Sequence, residues 1–539
     1  MDFIKDYLLT ILIVLPLIGA VLILAHQMIW KDEGQLRWLT FGFALLTFLV
    51  SLVMFSGGQI PAGSFAFEQN VPWIQAINAN YHIGVDGLSF WLVLLTTLIM
   101  PISVVSAWNA VEKRRTAFFV FLLLLESAMI GVFVTLDMLV FYLFFEASLV
   151  PMFFLIGVWG GETRIYAAVK FFIFTAFGSL LMLVAIIALY YVYADQTGLG
   201  GSFDLIAITN AMKTGTLHIA PQASVLLFWA FALAFMIKVP VFPFHTWLPD
   251  AHTEAPTAGS VILAAILLKM GTYGLMRFNF AMFPDQSREF AGIFIVLAII
   301  GIIYGALVAM VQPDFKRLVA YSSVAHMGFV VLGMFSFTES GMQGAIYQML
   351  NHGVSTGALF LLVGFLYERR HTREIAQFGG IANVMPLYAT VFVVTTMSSI
   401  GLPFLNGFVG EFLIMIGMFG SRVLDGVGYL GWNWNYVAAM FACIGVILAA
   451  VYMLWMVQRI FFGKITNEKN RGLSDLSWRE ISLLAPLLVL MVYMGVYPKP
   501  FLKRSDEIVR AIHERIMQQA GGTVEKTELM PPTAIEENK

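Results

Sequence analysis

The chain has 539 residues, of which 59% are hydrophobic and only 12% charged, with a mean hydropathy of +0.83. That balance excludes a soluble globular domain. The formal net charge of −2 says nothing about nucleic acid, but the basic residues are segregated by loop rather than clustered on a binding face, so no nucleic-acid partner is expected; the single cysteine, Cys443, excludes any iron–sulfur cluster, CxxC redox pair or cysteine zinc site built by this chain alone.

Apolar stretches of about 20 residues recur along nearly the whole chain, and each is long enough to cross a roughly 30 Å hydrocarbon core as a helix. There are about fourteen of them, which predicts an all-α, polytopic membrane protein; a β-barrel would need short alternating segments. Three stretches, near 8–29, 38–56 and 87–109, form an N-terminal segment over residues 1–116. The first is apolar like a signal peptide, but Asp2, Lys5 and Asp6 are mixed in sign and no small-residue cleavage site follows, so it is read as a helix.

Five stretches over 117–280 and five over 291–463 follow, and in each set the fourth is interrupted. Pro240 and Pro243 break the first, near 238–248; Pro403 with Gly407 breaks the second, near 401–411. Interrupted helices in corresponding positions are the mark of an inverted-repeat transporter. A last helix and a polar tail occupy 464–539, with disorder the simplest account of the end of the tail.

Charge distribution supplies an orientation. Lys113, Arg114 and Arg115, then Lys316 and Arg317, then Arg369, Arg370 and Arg373 fall in alternate loops, which the positive-inside rule places in the cytoplasm. The loop from Gly57 to His82 has no Lys or Arg and is placed outside, and an even helix count puts both termini on that periplasmic side of a bacterial inner membrane.

Ionisable residues inside the apolar stretches carry the chemistry. Glu146, Lys238, Lys269 and Glu411 lie in such segments, accompanied by Glu126, His245, His326 and His352. A charge at the helix centre costs roughly 2.5 to 3.5 kcal/mol, so the set is expected to face inward and to form a proton relay. For a single lysine near a helix end, snorkelling to the interface is the commoner fate, but four such residues together argue against it. His245 and His252 admit a plain role in capping the broken segment, and Asp86 and Asp137, near segment ends, read as structural. No P-loop, strand-associated GxGxxG fingerprint or clustered histidine metal site is present, so cofactor and metal ligands are expected to be absent from this chain.

The stretches Tyr81-His82-Ile83-Gly84-Val85-Asp86-Gly87-Leu88-Ser89, Lys238-Val239-Pro240-Val241-Phe242-Pro243-Phe244-His245 and Asp314-Phe315-Lys316-Arg317-Leu318-Val319-Ala320-Tyr321-Ser322-Ser323 resemble the antiporter-like membrane subunits of respiratory complex I, over nearly the whole chain. Glu411 stands where sister subunits usually carry a lysine. The resemblance implies a proton-translocating membrane-arm subunit of an NADH:quinone oxidoreductase, in which Glu146 pairs with Lys238 and the path runs through Lys269, His326 and His352 to Glu411. Glu126 and His245 are weaker candidates, and Lys170 is undecided. It also implies that FMN, iron–sulfur clusters and quinone belong to partner subunits, and that the partners are the other membrane-arm subunits, sister antiporter-like chains and the lipid bilayer. The alternative it leaves open is a subunit of a multi-subunit cation/proton antiporter; a scaffold would gain nothing from the buried charges.

Overall fold

The computed structural model describes residues 2–30, 33–425 and 433–518, so the end of the polar tail lies outside the described residues. Among these, twelve helices are long and apolar enough to cross a membrane, and Phe90–Ser106 and Asn406–Phe419 are shorter apolar helices. Two of the long ones, Thr257–Met282 and Glu339–Arg370, are wrapped by the others. Helices such as Arg164–Thr197 and Ala291–Met310 instead show Ile, Leu and Val to the outside, as lipid-facing helices do.

Both expected interruptions are present. Pro221–Lys238 ends before Pro240 and the chain resumes as Trp247–Glu254. Lipid offers no partner to the carbonyls this frees, so protein donors take them: the Trp247 indole donates to the Ile237 carbonyl at 2.9 Å, and the Val241 amide to that of Met236 at 2.9 Å. The second break separates Pro386–Ser399 from Asn406–Phe419. Gly401 adopts φ +74° there, and a Cβ on Gly407 would lie 2.1 Å from the Ser398 carbonyl, so the chain turns back on itself at a separation only glycine allows.

Two features differ from the expectation of helices joined by loops. The segment without basic residues folds as an antiparallel hairpin, β1 (Ala66–Ile74) and β2 (Ala79–Val85), turning through Asn78 at φ 50°. The mixed-charge stretch after Pro498 is a helix, Lys499–Gln518, docked on the same face. The Trp91 indole donates to the Phe501 carbonyl at 3.1 Å, and His513 Nδ1 lies 2.8 Å from the Phe337 carbonyl, so this helix straps the N-terminal segment to the second set of helices. Gln69 of the hairpin donates to the Asp6 carbonyl, which brings both described ends of the chain to the hairpin face.

On that face, helix caps and the hairpin share one set of carboxylates. Asp137 accepts from the amides of Leu139 and Val140 and also from Asn80 in the hairpin, at 3.1 Å. Asp204 caps the helix Leu205–Thr214 and meets His82 Nδ1 at 2.6 Å, while His82 Nε2 lies 2.9 Å from Glu68. The structural role expected for Asp137 is therefore present. Asp86 has one too: it pairs with Arg277 at 2.6 Å and accepts from the amides of Leu88 and Ser89. The opposite face carries the basic loops, where Lys170 pairs with Asp250 at 2.7 Å and Arg373 with Asp314 at 3.1 Å.

Burial pulls the His82 pKa down, but Asp204 and Glu68 outweigh it and hold it above the ordinary histidine value. Burial also pushes Asp204 up, and its bond to His82 with the cap amides brings it below the usual carboxylate value. The histidine contribution is therefore full below about pH 6.5 and lost as pH rises through the raised value; the Asp204 contribution is present above about pH 3.9 and lost as pH falls through the lowered one. Amide exchange in β2, corrected for its intrinsic pH dependence, is expected to be slower at pH 6 than at pH 9. His82→Gln should abolish that difference, and a difference that survives the substitution would detach it from His82.

Candidate functional site

The charged residues come together because each sits beside an interruption of its helix. Lys238 is the last residue of Pro221–Lys238 and is 1% exposed. Its ammonium has no hydrogen-bond partner and rests 4.8 Å from the Phe145 ring centroid and 5.8 Å from that of Phe171, both within cation–π range. Glu146, the next residue after Phe145, is half-buried and within electrostatic range of Lys238. The two form no ion pair within 4.0 Å, so the contact implied for them is open in this conformation, with aromatic rings around the ammonium.

Lys269 lies in the wholly buried helix Thr257–Met282, where Leu263–Leu267 forms a turn of π-helix immediately before it. The widened turn releases the Ala264 carbonyl, which accepts from the Lys269 ammonium, and the same Nζ lies 2.6 Å from His352 Nδ1. Gly271, two residues on, lets this helix press against the break that follows Lys238: a Cβ there would lie 2.7 Å from both the Phe235 carbonyl and Val239 Cγ2. The two lysines thus occupy neighbouring, tightly packed helices.

From His352 the line continues. Its ring centroid is 5.8 Å from that of His326, and His326 Nδ1 is 3.3 Å from Glu411 Oε1. Glu411, 3% exposed, also accepts from Gln348 Nε2 at 3.1 Å, and Asn351 donates to Gln348 Oε1 at 2.9 Å. His326 Nε2 is 3.3 Å from Ser399 at the second break. A small cavity lined by His326, Gln348, Asn351, His352 and Ser355, among others, lies between the two histidines and the second break and has room for about one water molecule. Its lining offers the two to four polar partners that an enclosed water needs.

The structure leaves two candidates off this line. Glu126 is fully buried on the Arg115–Val134 helix, and neither carboxyl oxygen has a partner. His245 sits within the first break, stacked on Phe242 and 5.1 Å from the Tyr304 ring, on the side of Ala291–Met310. Conversely, the polar row Gln348, Asn351, His352 and Ser355 was not foreseen beyond its histidine. Its spacing of three, four and seven residues places it on one helix face, a signal present in the sequence. The π-turn before Lys269 has no comparable signal. Among the described residues, no group of three or more His, Cys, Asp or Glu side chains could hold a metal ion.

Residues 135–430 match the family described as NADH:quinone oxidoreductase/Mrp antiporter, TM, and residues 61–132 match NADH-ubiquinone oxidoreductase chain 4, amino terminus. The chain is 44% identical over 503 residues to the NADH-quinone oxidoreductase subunit M of Rhodobacter capsulatus, covering 91% of this chain and 93% of that one. The chain belongs to the subunit M family. A chain of the respiratory complex I from Thermus thermophilus with bound NADH superposes with a TM-score of 0.82 at 30% identity, covering 94% of this chain and 99% of that one. The Mrp complex from Dietzia sp. DQ12-45-1b shares the fold, with a TM-score of 0.76 at 19% identity, covering 96% and 99%. Within this subunit M family member, every residue of the line from Glu146 to Glu411 falls in the stretch matched by the first family, whereas Glu126 falls in the second.

Glu411 depends on Gly401, where a Cβ would lie 2.7 Å from Glu411 Oε2 and where φ +74° disfavours any L side chain. Gly401→Ala is therefore expected to displace the carboxylate and to lower the coupled turnover of the assembled enzyme several-fold without loss of the subunit from the membrane. Unchanged turnover would show that the position of Glu411 does not matter.

Proposed function

We propose that this subunit M family member is a proton-translocating membrane-arm subunit of an NADH:quinone oxidoreductase, moving protons through its own buried Glu, Lys and His side chains while electron transfer takes place in other subunits. The observation that carries the proposal is the buried line Lys269, His352, His326 and Glu411, with 2.6 Å at its first contact and 3.3 Å at its last. Flavin, iron–sulfur clusters and quinone belong to the partner subunits, and the neighbours in the membrane are sister antiporter-like chains. Residues 117–280 and 291–463 act as two repeats related by their broken helices. The basic face with Lys170, Lys316 and Arg373 is cytoplasmic by the positive-inside rule, and the hairpin face with both described chain ends is periplasmic.

Lys238 and Glu146 act as the switch. When Glu146 closes on Lys238, Coulomb attraction in a low-dielectric site holds the ammonium; when it withdraws, that attraction is lost and the proton is released towards Lys269. His352 and His326 hand it on, each able to accept on one ring nitrogen and donate from the other. Glu411 is the terminal acceptor, and Glu126 and His245 serve the surrounding structure rather than the line.

The test uses the intact assembly, recognised by the flavin and iron–sulfur absorbance that accompanies the tagged chain. Lys238→Ala is expected to keep NADH oxidation by an artificial acceptor while quinone-coupled proton pumping falls by about a hundredfold, the effect of losing roughly 3 kcal/mol of electrostatic driving. Normal pumping would end the relay proposal. At the far end, Glu411→Gln should impair pumping much more than Glu411→Asp, which keeps an ionisable group; equal losses would reduce Glu411 to a packing residue.

A further inference from the structure

Phe145 and Glu146 stand near the end of a helix that is interrupted just beyond them. The span Met138–Trp159 breaks at Ser148, because Pro151 has no amide to offer the Ala147 carbonyl. Ser148 Oγ turns back instead and donates to the Phe145 carbonyl at 2.7 Å. The two residues thus occupy a last turn whose hydrogen-bond ladder is not carried through, and as neighbours on a helix they project about 100° apart.

Two rings meet the Lys238 ammonium from different helices. Phe145, on Met138–Ala147, has its centroid 4.8 Å from Nζ, and Phe171, on Arg164–Thr197, has its centroid 5.8 Å away. Both rings are buried, and both are braced. Phe145 packs against Phe141 and Phe235, with centroids 5.7 and 6.2 Å apart. Phe171 lies 5.3 Å from the Trp247 ring, whose indole donates to the carbonyl of Ile237, the residue before Lys238. Seven residues beyond Phe171, on the same helix face, Gly178 admits Ile237 so closely that a Cβ there would lie 2.9 Å from Ile237 Cδ1. The Phe171 ring is therefore held against the backbone at the first break. The Lys238 ammonium has no hydrogen-bond partner, and the electron-rich faces of the two rings take the place of one.

We infer that Phe145 and Phe171 are positioning residues, an aromatic clamp that holds protonated Lys238 at the break while Glu146 is withdrawn. Movement in the last turn of their shared helix exchanges Glu146 for Phe145 at the ammonium: the carboxylate binds it firmly, the rings loosely. A cation–π contact is weaker than an ion pair in the same enclosed site, so the clamp keeps the ammonium in place for release towards Lys269 without trapping it. The rings break no bond and carry no proton. The inference rests on the switch proposed for Lys238 and Glu146.

The experiment puts phenylalanines bearing one, two and three ring fluorines in place of Phe171, and separately of Phe145, in the purified, fully assembled complex, with Lys238→Ala alongside. Fluorine withdraws electron density from the ring face and scarcely changes the ring's shape, so a packing role would leave the series flat. Quinone-coupled proton pumping should instead fall stepwise with each fluorine, by about tenfold at the third, while NADH oxidation by an artificial acceptor is unchanged. The fall should be steeper at Phe145, whose ring is the nearer. Flat series at both positions, with pumping impaired in Lys238→Ala, would overturn the clamp alone. Normal pumping in Lys238→Ala would remove the switch reading and the clamp with it.

Discussion

A backbone polar group or a charge inside a bilayer must find its partner within the protein, and that requirement organises this molecule. Each charge on the line stands next to a place where the helical hydrogen-bond ladder is interrupted. Lys238 ends its helix before Pro240, Lys269 follows a π-turn whose Ala264 carbonyl it takes, and Glu411 follows the turn through Gly401 and Gly407. The interruptions do two things at once: they bend the chain around a polar interior and they expose backbone groups to the side chains that occupy it.

Such breaks are tolerable only if the helices around them close in, and glycine is how they do so. Gly271 brings the Lys269 helix onto the break after Lys238, and Gly445 brings the helix Trp434–Phe461 onto Ala291–Met310. The two most enclosed helices then carry Lys269 and His352 into contact. The surrounding helices present aliphatic side chains to lipid and need no such devices.

The two faces of the assembly are held by different means. On the hairpin face, Asp137 and Asp204 each bind a helix N-terminus and a residue of the hairpin, so local capping and long-range docking share the same carboxylates. The strap Lys499–Gln518 completes that face by joining the N-terminal segment to the second set of helices. On the other face lie ion pairs such as Lys170–Asp250 and Arg373–Asp314, the second at the ends of the helices that carry His326 and His352. Charged contacts thus flank the polar interior on both faces.

Much of this was legible beforehand. Composition and the length of the apolar runs determined a polytopic helical membrane protein; the prolines located both breaks; and Lys238, Lys269, His326, His352 and Glu411 stood out because charge in an apolar run is costly. The hairpin and the strap were hidden because short amphipathic elements at a membrane surface look like polar loops when read locally. The tertiary structure alone decided which charges touch: Lys269 meets His352, whereas Lys238 and Glu146 stand apart and Glu126 is left without a partner. It alone placed the π-turn. The reason is physical: the cost of burying a charge depends on residue type and can be read along one helix, but its compensation comes from groups remote in sequence that only close packing brings within reach.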